Sequence, residues 1–252
     1  MRDKIKISVV SYLNSKPFLY GLERSDLLSK IDLQLDIPSF CAQKLIDDQV
    51  DIGLIPVAVI PQLPLHYIIS DYCIGGVGKV SSVMLYSEVP LASIKRILLD
   101  YQSRTSVTLV QILAREFWKI SPEWVDAFEN FENQIRGTTA AVIIGDRTFG
   151  LENKYAYTYD LSEEWQKFTN LPFVFACWVA NKKLPEPFLT AFNKALKFGI
   201  NNRKQLITEL KLNANYKTDI DTYLTKSISY EYDEAKKHAL TLFLDYMGKL
   251  KE

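Results

Sequence analysis

The chain has 252 residues, with 30 Lys+Arg set against 30 Asp+Glu and a formal net charge of zero. A neutral balance offers no basic field for nucleic acid or anionic lipid headgroups, and at about 150 residues per domain the length means one large domain or two small ones. The 48% hydrophobic content fills a sizeable core, so the expectation is a globular protein whose partner is a small molecule.

Ile5, Ile7, Val9 and Val10 form a short strand-like run followed by the polar turn Ser11-Tyr12-Leu13-Asn14. The run alternates with charge and is too short for the apolar stretch of a secretory signal, so a cytoplasmic protein is expected. No later window approaches a membrane span. Pro17 suits the first turn of a helix. Residues 31–37 alternate apolar and polar side chains, the period of a strand, and Ser39 is placed to cap a helix over 40–48. Val50 to Pro56 is another short strand. Val80 to Tyr86 and Leu171 to Val179 read as continuous strands. Between them lie a strand over Ile97-Leu98-Leu99-Asp100, a helix from Ser106 to Trp118, and a strand from Ala140 to Ile144. From Pro185 onward the pattern is helical: Phe188, Phe192 and Leu196 recur at spacing four, and Ala235, Ala239, Phe243 and Tyr246 mark one face of a final helix.

Strands alternating with helices make an α/β protein. The middle third reads as a self-contained unit entered and left by strands. The expected division is therefore one lobe from residues 1–86 and 178–252, including the C-terminal helices, and an inserted lobe from 87–177, with a cleft between them. Cys41, Cys73 and Cys177 are odd in number and far apart, which suits buried reduced thiols rather than a disulfide framework.

Several motifs fail. Gly75-Gly76-Val77-Gly78-Lys79 lacks the first glycine and the Ser/Thr of a phosphate loop, and a strand rather than a helix follows it. His66 and His238 are the only histidines, without metal-ligand spacing, so neither a metal nor a cofactor is expected. A G-x-S-x-G nucleophile elbow is absent.

Two polar clusters survive. Ser11, Tyr12 and Asn14 lie at the carboxyl end of the first strand, where ligands collect in open α/β sheets. They serve either a ligand or simply the helix that follows. Asp100 to Ser106 joins a strand to a helix. Free amides and the hydroxyls of Thr105 and Ser106 at that helix N-terminus suit a carboxylate, or else they only cap the helix. Ser81 and Ser82 open one crossing strand, and Gly145 and Asp146 end another; in a two-lobed protein all four clusters face one cleft. Arg104 is the obvious cationic partner for a carboxylate, or else it pairs with Asp100 or Asp146.

Six pieces in order resemble the chorismate dehydratase family of the futalosine route to menaquinone. They are Val10 to Pro17 with Gly21-Leu22; Cys41-Ala42 with Val50 to Pro56; Val80-Ser81-Ser82-Val83; Asp100 with Ser103 to Ser106; Ile144-Gly145-Asp146; and Leu171 to Trp178. The resemblance spans roughly residues 7–180 and departs from the family at Val57-Ala58-Val59-Ile60, where many relatives are more polar. It implies the two-lobed fold of type II periplasmic binding proteins, used here by an enzyme that removes water from chorismate to give 3-[(1-carboxyvinyl)oxy]benzoate. On that reading Thr105 and Ser106 hold one carboxylate and Ser82 the other. Asn14 orients the C4 hydroxyl or the ether side chain. With no side chain tuned as a base, the substrate's own enolpyruvyl carboxylate takes the proton. Rival expectations are a non-catalytic solute-binding protein of the same fold, the related 1,4-dihydroxy-6-naphthoate synthase (whose mid-chain histidine is missing here), and a ligand-sensing regulator domain.

Overall fold

The computed structural model describes residues 4–214 and 216–250; the outermost residues of the expected first lobe lie outside them. Two sheets organise the chain. The first has six strands in the order β11-β4-β10-β3-β1-β2, with β1 Ile5–Val10, β2 Ile31–Asp36, β3 Ile52–Pro56, β4 Tyr67–Gly76, β10 Phe173–Ala180 and β11 Ser229–Glu231. The second has five in the order β7-β6-β8-β5-β9, with β5 Val83–Ser87, β6 Arg96–Leu99, β7 Glu123–Asp126, β8 Thr139–Ile144 and β9 Tyr157–Asp160. β1 runs parallel to both β2 and β3, the arrangement that requires helical crossovers. Those are α1 Lys16–Glu23 and α2 Pro38–Ile46.

Sheet membership corrects the expected lobe boundaries. A division at 86/87 cuts β5, which pairs with β8 and β9 of the second sheet. A division at 177/178 cuts β10, which pairs along its length with β3 and β4. The chain instead passes to the second sheet over residues 77–82. It returns after α4 Leu161–Thr169, which follows β9 directly. The strand expected from Val80 starts only at Val83, because Ser81 has a positive φ of 61°, which no strand accommodates.

Other differences are local. Helix α2 begins at Pro38 with Ile37 at its N-cap, so Ser39 lies inside the first turn and caps nothing. The helix expected to Trp118 is α3 Thr105–Ile112, continued by a π turn over Leu113–Trp118. The C-terminal stretch is α5 Glu186–Asn201, α6 Arg203–Asn213, the single turn α7 Ile220–Thr222, then β11 and α8 Glu234–Lys249. On α8 the buried face is Lys236, Ala239, Leu240 and Phe243; Ala235 is exposed. The three cysteines are buried and free. Among the described residues no helix is long and apolar enough to cross a membrane.

Large aromatic side chains hold the elements that carry the cleft. Trp178 of β10 meets Phe18 of α1 at 5.6 Å and Phe192 of α5 at 5.1 Å between ring centroids, both edge-on. Trp165 of α4 meets Phe173 of β10 at 5.3 Å and Phe243 of α8 at 6.3 Å, bracing the second sheet against the first. Where α1 crosses α5, a Cβ on Gly21 would lie 1.9 Å from the Ala195 carbonyl oxygen, and one on Gly199 would lie 1.8 Å from that of Pro17. Only glycine permits that approach, and it fixes α1 together with the turn that precedes it.

Candidate active site

Between the sheets lies a cavity of about 60 Å³, closed over by residues from both. Its polar lining is Tyr12, Asn14, Ser82, Ser103, Thr105 and Ser106; apolar walls come from Val10, Pro56, Ile74, Ile144, Phe175 and Ile228. The lining contains no carboxylate, amine, guanidinium or imidazole. Among the described residues no group of three His, Cys, Asp or Glu could hold a metal ion.

The residues singled out in the sequence divide into two sets. Tyr12, Asn14, Ser82, Thr105, Ser106 and Gly145 meet at the cavity. Ser11, Ser81, Arg104 and Asp146 do not line it. The Ser11 N–H extends the β1–β2 ladder by donating to the Asp36 carbonyl oxygen at 2.9 Å. Ser81 is exposed and gives its N–H to Asp160. Arg104 is exposed at the start of α3. Asp146 accepts the Leu13 N–H on both carboxylate oxygens at 3.1 Å, so it fastens the turn of one lobe to the strand end of the other.

Several cavity residues serve the fold as well. The Thr105 hydroxyl donates to the Phe175 carbonyl oxygen at 3.0 Å and accepts the Ala58 N–H at 3.3 Å, which commits it to the opposite lobe. A carboxylate held by its side chain, as the sequence suggests, would have to break that pair. Ser103 Oγ accepts the Ser106 N–H at 3.0 Å and caps α3, leaving the Ser106 hydroxyl facing the cavity with no protein partner. Gly145 has φ +66°, and a Cβ there would lie 2.6 Å from the Tyr12 ring. The Tyr12 hydroxyl donates to Gln102 Oε1, and burial pushes its phenol well above its usual value, so it stays protonated.

Arg147, absent from the sequence expectations, follows Asp146 and does not line the cavity. It pairs with Asp100 and, at 3.3 Å, with Glu132. Asp100 is fully buried and also accepts the N–H groups of Gln102 and Ile144, each at 3.0 Å. Burial raises its carboxyl above the ordinary range, opposed by Arg147 and these two donors. Arg147 is thus engaged in a structural pair behind the cavity wall.

Two tyrosines from the C-terminal quarter complete the site and carry no sequence signal. Tyr230 donates to the Asn14 carbonyl oxygen at 2.9 Å. The Tyr223 hydroxyl donates to Ser82 Oγ at 3.0 Å, while Asn14 Oδ1 is buried with no partner. A buried acceptor without a donor, in a cleft lined by hydroxyl side chains, is the arrangement a polar ligand completes.

The family of menaquinone biosynthesis matches residues 5–249. The chain belongs to that family. A chorismate dehydratase of Thermus thermophilus is 24% identical to this family member over 201 residues, covering 72% of the chain and 73% of its own length. Among solved structures, a structural-genomics protein from Archaeoglobus fulgidus superposes with a TM-score of 0.75 at 13% identity, over 98% of this chain and 97% of that one. The periplasmic aliphatic sulphonate binding protein SsuA of Escherichia coli superposes with a TM-score of 0.57 at 12% identity, over 100% of this chain and 87% of that one. These likenesses establish a periplasmic-binding-protein-like fold for this member of the menaquinone family, in agreement with the expected α/β class.

Proposed function

We propose that the protein is a chorismate dehydratase, a carbon–oxygen lyase that removes water from chorismate in the cytoplasm to give 3-[(1-carboxyvinyl)oxy]benzoate. Family membership supports the pathway. The observation that carries the reading at the site is the neutral cavity, lined by the unpaired Asn14 Oδ1, the unpartnered Ser106 hydroxyl and the Ser82 hydroxyl, whose oxygen accepts from Tyr223.

Chorismate brings two carboxylates, a C4 hydroxyl and a proton at C3. Ser106 and the N–H groups at the start of α3 hold one carboxylate, where the helix dipole favours negative charge. Ser82 holds the other, and Asn14 Oδ1 accepts the hydrogen of the C4 hydroxyl. Loss of the C3 proton leaves charge that spreads toward the ring carboxylate, and fixed donors there stabilise it as it develops. The proton goes to the substrate's enolpyruvyl carboxylate and then leaves with the C4 hydroxyl as water, which balances the reaction as the ring becomes aromatic. Holding the reacting groups in register is the protein's main contribution on this reading.

The test is turnover of chorismate, followed by ultraviolet absorbance of the aromatic product. Asn14→Ala and Ser106→Ala should each lower kcat/KM by about 100-fold, the scale set by loss of one donor or acceptor in such a site. If both folded variants stay near wild type, the site is wrong. Tight binding of chorismate without its loss would make the protein a solute-binding relative instead.

A further inference from the structure

Tyr223 opens the π turn Tyr223–Ser227 and is only 2% exposed. Its ring packs edge-on against Phe149 at 5.1 Å, between the final helices and the second lobe. Its hydroxyl bonds the cavity residue Ser82, and hydrogen-bond valence decides which way that serine faces.

Asn14 Oδ1 is buried with no protein partner, which leaves it as an acceptor for a ligand. The Tyr223 hydroxyl is itself buried, so its hydrogen needs an acceptor. Ser82 Oγ, 3.0 Å away, supplies it. The reverse direction, Ser82 donating to Tyr223, would leave a fully buried phenol hydrogen with nothing to bond, which is the costly arrangement. With its oxygen already accepting, Ser82 directs its own hydrogen into the cavity it lines. Burial holds the phenol far above its usual value, so this pattern persists across the physiological pH range.

We infer that Tyr223 is a positioning residue that sets the donor polarity of the cleft, making Ser82 a donor toward the ligand in the same cavity as the acceptor Asn14 Oδ1. Resting on the dehydratase reading, this polarity matches chorismate: a carboxylate meets the Ser82 hydroxyl and the C4 hydroxyl meets the Asn14 carbonyl. Without the Tyr223 hydroxyl the Ser82 hydroxyl is free to rotate. That motion presents the wrong group to the substrate.

Tyr223→Phe removes one oxygen and keeps the ring and its contact with Phe149. The variant should fold, and its kcat on chorismate should fall by about tenfold or more, while KM changes by less than about threefold, because misorientation costs the reacting geometry more than occupancy. Ser82→Ala should lower kcat as well, and Tyr223→Phe added to it should cause little further loss, since both act through one hydrogen. Wild-type kcat in Tyr223→Phe, or losses that multiply in the double variant, would overturn the inference and leave the dehydratase reading standing. A folded wild-type protein that does not turn over chorismate would overturn that reading, and the inference with it.

Discussion

Arg104 and Arg147 differ in what surrounds them, not in chemistry. Arg104 follows a strand and opens α3, the position from which a carboxylate-binding arginine would act, yet its side chain is exposed. Arg147 sits just beyond Asp146 and sends its guanidinium inward to Asp100. Arg104→Ala should leave kcat/KM within about twofold of wild type, as exposed substitutions usually do. Arg147→Ala strands the buried Asp100 carboxylate and should cost about 3–5 kcal/mol, measured by urea denaturation. Asn14, Ser82 and Ser106 were legible as cavity positions because strand ends and helix starts face the cleft of a two-lobed α/β protein, although capping explained two of the clusters as well. Thr105 was legible as a position but not in its role, since its commitment to Phe175 and Ala58 depends on the opposing lobe. Tyr223 was illegible: it meets Ser82 across 141 positions of sequence, from a segment that reads only as helical.

At the scale of elements, the α1–α5 crossing supports the turn that carries Asn14. Gly199→Ala places a methyl group against the Pro17 carbonyl, a backbone atom that cannot swing aside. It should destabilise the protein by about 1–3 kcal/mol, lowering Tm by about 2–4 °C per kcal/mol in a scanning experiment. Strands with clean alternation or β-branched runs, such as β1, β2 and β8, were visible in the sequence. β4 was not, because Ser70-Asp71-Tyr72 interrupts it and its two terminal glycines mimic a loop. Its irregular register against β10 shows why periodicity failed there.

Across the whole molecule, Asp160 ties the two lobes at their junction. It is 2% exposed and accepts four N–H groups: those of Val80 and Ser81 in the outgoing crossing, at 2.9 and 2.6 Å, and those of Ser162 and Glu163 at the start of α4, at 3.0 and 3.2 Å. Burial pushes its carboxyl up to about 6 despite these donors. The folded state therefore binds this proton more tightly than the unfolded chain, where the value is about 3.9. The group's contribution to stability grows as pH falls from about 6 toward 4, and is lost as pH rises through the same window. Asp160→Asn cannot titrate, so the stability of wild type relative to this variant should increase by about 1 kcal/mol per pH unit between pH 6 and 5, read by urea denaturation at each pH. The two-lobed plan was legible because the middle third repeats strand and helix on its own. The crossings were misplaced because apolar strands run up to them from both sides.

The position of β10 also dictates an order of assembly. It lies between β3 and β4 in the first sheet, yet it is encoded after every strand of the second. A ribosome therefore releases all of the second lobe before the first can close its centre. The first lobe depends on contacts spanning more than half the chain, which form slowly because so long a loop must close before they repay it. The inserted lobe is built from nearer neighbours and is complete earlier. The topology thus predicts that the part that begins first finishes folding last.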